Sequence, residues 1–140
     1  MPPEYQRATD DFYAFLTDAR DTAGLATTHQ TFTMVQGVLQ TFRRRVDLRE
    51  AILFAGVLPP VLRAVFVADW NPDESRQGFQ DIVTMTREVQ ALRPDHNFAP
   101  DTAIRSVASA LRRHIDIKAL EGVLARLPAG AAEFWEAENR

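Results

Sequence analysis

VDLREAILFAGVLPP, residues Val46 to Pro60, is written twice in this chain: Ile115 to Ala129 reads IDIKALEGVLARLPA. Both copies open as apolar-Asp-apolar-basic, and both reach Leu-Pro after the same number of residues. Leu58-Pro59 falls on Leu127-Pro128, an offset of 69 residues (127 minus 58). Carried backwards without a gap, that offset places Arg43, Arg44 and Arg45 on Arg112, Arg113 and His114. Phe42 then falls on Leu111, Val38 on Val107, Val35 on Ile104 and Thr33 on Thr102. Further back the register slips by about two residues, so that Phe12, Phe15, Leu16 and Ala19 match Phe79, Ile82, Val83 and Thr86. Self-similarity at a fixed period marks a duplicated structural unit. The expected fold is all-α: two tandem four-helix repeats packed into one compact helical bundle, with repeats at 10–70 and 79–138 and a linker at 71–78.

The helical signals run in order from one end of the chain to the other. Residues 1–9 hold two prolines and little apolar pattern, so a loose leader is expected there. Asp10 or Asp11 can cap a first helix that turns Phe12, Phe15, Leu16, Ala19 and Ala23 to one face and stops at Gly24. Thr27 or Thr28 caps a second helix with Phe32, Val35, Val38, Leu39 and Phe42 inward, closed by three arginines at its negative end. Asp47 and Glu50 form a capping box for a third helix. Pro59 ends that helix and opens a fourth. The second half repeats the order: a helix over Phe79–Leu92, a polar loop at 93–100, and a helix opened by Pro100. Asp116 then caps the next helix, and Pro128 opens a last one carrying Phe134 and Trp135. No window alternates with period two, so no strand is expected.

Together these residues resemble a bacterial family known as domain of unknown function 2267. The resemblance rests on Phe15-Leu16 with Gly24-Leu25, Val38-Leu39 with Phe42, Leu58-Pro59, Leu62-Arg63 with Phe66, and Trp70-Asn71-Pro72. Leu127-Pro128 and Phe134-Trp135 resemble the family's second half. The chain departs from that pattern at Pro60-Val61 and Ala129-Gly130, where charged residues are expected. The resemblance implies an all-helical fold and supplies no activity.

Composition excludes several chemistries. The 140 residues contain no cysteine, so no disulfide framework, thiol nucleophile or thiolate metal site can form. No apolar run approaches the roughly 20 residues that span a bilayer. The start, MPPEYQRATDDF, lacks a basic-then-apolar signal, and a cytoplasmic location is expected by default. Net charge is −3, with 7 basic and 8 acidic residues in 1–70 and 9 and 11 in 71–140. Neither half is a basic module, which counts against nucleic acid as the main partner. His29, His96 and His114 are too few and too scattered for a metal site, and Ser75, Ser106 and Ser109 lack a triad context. No cofactor is expected and no catalytic constellation is recognisable, so the chain reads as a binding module and not as an enzyme.

Two surfaces remain as candidates. Arg43, Arg44, Arg45 and Arg112, Arg113, His114 occupy equivalent positions and offer two matching anion sites, since the guanidinium fork suits phosphate and carboxylate. Alternatively, they cap helix ends and pair with Asp47 and Asp116, standing largely exposed. The second candidate comes from an asymmetry between the copies. Ile52, Leu53 and Val57 correspond to Glu121, Gly122 and Arg126, which makes the third helix apolar nearly all round. Such a helix is expected to be buried between the halves; otherwise Ile52, Leu53, Val57 and Val61 face an unknown protein partner or a second copy in a homodimer.

Overall fold

Asp47 fixes the first landmark of the structure. Its carboxylate accepts from the Glu50 backbone N–H at 2.8 Å, and the Glu50 carboxylate returns to the Asp47 N–H at 2.8 Å. This capping box opens α4, Leu48–Ala55. The aspartate cap, without the returning glutamate, is repeated 69 residues later, where Asp116 accepts from the Ala119 N–H and opens α8, Ile117–Leu124. Pro59 and Pro128 then supply the N-caps of α5, Pro60–Val67, and α9, Ala129–Phe134. Proline is favoured there because the first helical N–H groups have no intrahelical partner.

The computed structural model describes residues 1–137. The remaining helices are α1 (Pro3–Gln6), α2 (Ala8–Ala23), α3 (Thr28–Arg43), α6 (Ile82–Gln90) and α7 (Ala103–His114). Pro94–His96 form a single 3₁₀ turn. Among the described residues there is no strand, and the chain is an all-α bundle. The expected last residue of the second unit, 138, lies outside the described residues. Thr27 caps α3 reciprocally with Gln30, and Gly24 ends α2 with φ 73°, a left-handed conformation that glycine adopts without strain.

Several boundaries correct the reading of the sequence. The leader is helical: Pro3–Gln6 form α1, and α2 begins at Ala8, so that Asp10 and Asp11 sit within its first turn and do not cap it. Helix α6 starts at Ile82 under an Asp81 cap, not at Phe79. Helix α7 starts at Ala103, beyond Pro100. The slip between the first helices of the two halves also changes. Phe15, Leu16 and Ala19 are buried in α2, and Met85, Thr86 and Val89 are buried in α6, so the inward faces match at an offset of 70. The one-residue difference from 69 is absorbed in the non-helical connectors.

The packing crosses between the halves. Helix α2 packs on α7, and α3 packs on α6. Both pairs join a helix before residue 70 to one after it. The core is continuous, with Phe42 near its middle: its ring lies 4.6 Å from Phe54, 5.2 Å from Phe134 and 5.4 Å from Trp135. Phe54 stacks on Trp135 at 5.3 Å. Each such aromatic pair adds about 0.5–1.5 kcal/mol beyond the apolar area it buries.

Helix α4 does not run through the centre. It buries Ala51 and Phe54, but Ile52 is 63% exposed and Leu48 is 64% exposed. Leu53, Val57 and Val61 are half-buried. The expectation of burial on every side is therefore overturned. Ile52 occupies the outward position that Glu121 occupies in α8, and the geometry keeps that position outward whichever residue fills it.

Candidate functional site

The arginine cluster at the end of α3 is built from the helix inward. Arg43 is 3% exposed. Its Nη1 donates to the Phe66 carbonyl at 2.8 Å and to the Ala68 carbonyl at 2.9 Å. These carbonyls lie at the C-terminal end of α5, where the helix leaves acceptors unfilled. The Trp70 ring centre lies 5.3 Å from the guanidinium carbon, within cation–π range. Burial, followed by repulsion from Arg44, holds the proton affinity of Arg43 below the usual guanidinium range. Arg112 does the same work in the second half: its Nε donates to the Trp135 carbonyl at 2.8 Å and its Nη1 to Glu121 at 2.8 Å. Phe66 and Trp135 are themselves 69 residues apart.

The next two positions reach across to the other half. Arg44 pairs with Glu74 at 2.8 Å and Glu88 at 3.6 Å. Arg45, 2% exposed, donates to the Thr41 and Gly78 carbonyls, to Gln80 Oε1 and to Glu88. In the second half Arg113 grips Asp18 with two bonds of 2.9 and 2.7 Å, and His114 Nε2 meets the same carboxylate at 2.9 Å. The Arg113 hydrogen bonds, aided by His114 and Thr22 against the opposing effect of burial, lower the Asp18 pKa to about 2.

These positions overturn the expectation that Arg43, Arg44 and Arg45 stand largely in solvent. A guanidinium at a helix end can fold back over nearby carbonyls: Arg43 does so over the end of α5, and Arg45 over Thr41 of its own helix and Gly78 of the connecting segment. Their partners are also not the nearest acids in sequence, since Asp47 and Asp116 serve as helix caps. Arg112 and His114 are half-buried, and Arg113 is exposed.

Segment 71–78, expected as the linker unless Trp70 docks it, is docked. The Gln77 N–H donates to the Arg44 carbonyl at 2.9 Å, and Trp70 covers Arg43. Trp70, Val46, Ser75 and Arg76 line a groove beside Arg43 and Arg44. The buried Arg43 Nε has no hydrogen-bond partner among the described residues. His29 and His96 are exposed, and no group of three or more His, Cys, Asp or Glu among the described residues could hold a metal ion. Asp18 and Glu88, which join the halves, were missed from sequence. The available signal was their shared place between inward-facing residues, at an offset of 70.

A family model described as an uncharacterized conserved protein (DUF2267) matches residues 12–134. The chain belongs to this family. The match runs from within α2 to the end of α9, so the DUF2267 region includes both arginine clusters and, of the aromatic centre, Phe42, Phe54 and Phe134. A comparison with curated proteins found no match. No helix among the described residues of this DUF2267 chain is long and apolar enough to cross a membrane.

Proposed function

We propose that this chain is a non-catalytic helical interaction module, built on a duplicated unit and working in the bacterial cytoplasm. The observation that carries the reading is the outward face of α4. Ile52 and Leu48 are both more than 60% exposed, and Ile52 stands where the other half has Glu121. An apolar residue at an outward position adds nothing to the core, while covering it by a partner removes apolar area from water at about 25 cal/mol per Å². Leu53, Val57 and Val61 extend the same region as half-buried contributors. The duplicated unit is supported by the matched bounds and caps of α4 and α8.

The test is photo-crosslinking in the source cells from position 52 of the full chain, with position 121 as control. One protein, or a second copy of this chain, should be trapped from position 52 and not from 121. Equal trapping from both positions, or none, would overturn the reading.

A second reading is an anionic ligand at the arginine clusters, nucleic acid being disfavoured by the acidic balance of both halves. It is favoured by the unpartnered Nε of Arg43 beside the Trp70 groove. Most other donors of the clusters already meet protein acceptors, which places this reading second. Titration of a Trp135→Phe variant with inorganic phosphate at low salt, read by Trp70 fluorescence, decides it. A saturable, salt-sensitive change supports it, and a flat response removes it.

A further inference from the structure

Gln40 is buried in α3, 6% exposed, yet its side-chain amide makes no hydrogen bond among the described residues. Burying an amide without a partner costs its hydration and returns nothing, so such groups are rare in folded proteins. Gln40 lines a cleft of about 270 Å³ with Gly37, Arg44, Glu88, Leu92 and Arg93. Helix α3 forms one wall through positions 37, 40 and 44, which fall on one face at helical spacing. The end of α6 and the turn after it form the other wall.

The cations of this cleft keep vacant donors. Arg44 gives its Nε to Glu74 at 2.8 Å, but neither of its Nη atoms makes a hydrogen bond among the described residues, Glu88 standing 3.6 Å from Nη1. The Glu88 carboxylate is held by Arg45 instead. The Arg93 guanidinium has neither an ion pair nor a hydrogen bond among the described residues. Its backbone is left-handed, φ 48°, directly before Pro94, a strained conformation for a residue with a side chain. Strain of this kind collects at ligand sites. The second half shows what such a guanidinium holds: Arg113, which stands for Arg44 at the offset of 69, closes its fork on the Asp18 carboxylate with two bonds. The guanidiniums of Arg44, Arg45 and Arg93 outnumber their carboxylate partners, Glu74 and Glu88, by one, which leaves positive charge for an anion.

We propose that this cleft binds a small α-hydroxy acid. The carboxylate lies across the open Nη donors of Arg44 and the Arg93 guanidinium, whose planar forks match it. The hydroxyl pairs with the Gln40 amide, which offers a donor and an acceptor to a group that has both. Gly37 and Leu92 leave room for a short apolar chain, and a cleft of this size, just under the range for drug-sized ligands, takes a molecule of a few carbons. The site uses neither the α4 face nor Trp70, and it shares only Arg44 with the groove beside Trp70.

The probe is α-hydroxyisovalerate, with isovalerate as the matched acid that lacks the hydroxyl, each titrated into the full ¹⁵N-labelled chain at low salt. The amides of Gly37, Gln40, Leu92 and Arg93 should shift saturably, and isovalerate should bind about fivefold more weakly, the worth of one hydrogen bond. In Gln40→Leu the two acids should bind alike, and the melting temperature should not fall, because the change removes an unpaired buried amide. If that variant does not fold, Gln40→Met tests the same preference. Arg93→Gln, at an exposed position, should weaken both acids by about tenfold. No saturable shift, the same shifts from sodium chloride at equal ionic strength, equal binding of isovalerate, or a hydroxyl preference that survives in Gln40→Leu would overturn the proposal. So would tighter binding of inorganic phosphate, or shifts centred on Trp70 and Ser75, which would place the anion in the other groove. Failure at this cleft leaves the crosslink from position 52 and the Trp70 titration as separate tests.

Discussion

Two residues of one type, side by side at the end of α3, are expected to behave differently when changed. Arg43 satisfies two carbonyls from inside the protein, so Arg43→Gln leaves buried acceptors without a donor and should cost about 3 kcal/mol in chemical denaturation. Arg44 pairs nearer the surface, and Arg44→Gln should cost about 0.5 kcal/mol. Similar losses for the two would mean that burial does not govern this cluster. Asp18 adds a dependence on pH. Its folded pKa of about 2 lies below the ordinary 3.8, so its contribution is present above pH 4 and is lost as pH falls towards 2. Wild type should lose about 1–2 kcal/mol over that window, allowing for partial exposure, and Asp18→Asn should lose correspondingly less. Parallel stability curves for the two proteins would contradict the assignment.

At the scale of the helix, α4 separates its two faces. Ile52→Asp places a charge at a position that is already wet, and the protein should stay folded with a melting temperature within a few degrees of wild type. Phe54→Ala removes a ring packed on Phe42, Phe66 and Trp135 and should cost about 3–5 kcal/mol. Thermal denaturation of both variants checks the pair, and an unfolded Ile52→Asp would put Ile52 in a core. Much of this level was legible in the sequence. Capping at Asp47, Asp116 and Thr27, the stop at Gly24 and the inward Val38, Phe42 and Leu111 follow from local chemistry that acts within one or two turns. The outward place of Ile52 was not legible, because an apolar side chain does not announce whether a neighbour covers it. Nor was the burial of Arg43: its acceptors Phe66 and Ala68 lie 23 and 25 residues away, and only the docking of α5 brings them near.

For the whole molecule the crossed pairing of α2 with α7 and α3 with α6 decides whether a half can stand alone. A fragment of residues 1–78 contains α2 without α7, its most extensive partner, and keeps only the packing of α2 on α3 and α5. It should show weak helical circular dichroism, which rises when residues 79–140 are mixed in. A fragment that folds cooperatively by itself would refute this. The site legible in sequence, two equivalent cationic clusters, proved to be where the halves meet: Arg44 and Arg45 bind Glu88, and Arg113 and His114 bind Asp18.

That crossing also sets a clock. Asp18 waits for Arg113, 95 residues further along the chain. At about 5–20 residues per second of synthesis, α2 emerges some 5–20 seconds before the helix it packs against. Helical bundles dominated by local contacts fold in microseconds to milliseconds, whereas long-range pairing slows the search. Refolding of this protein should therefore be slower than its helical content suggests. During translation the oily face of its earliest long helix is only partly covered, by α3 and α5, until α7 in the last third of the polypeptide has been made.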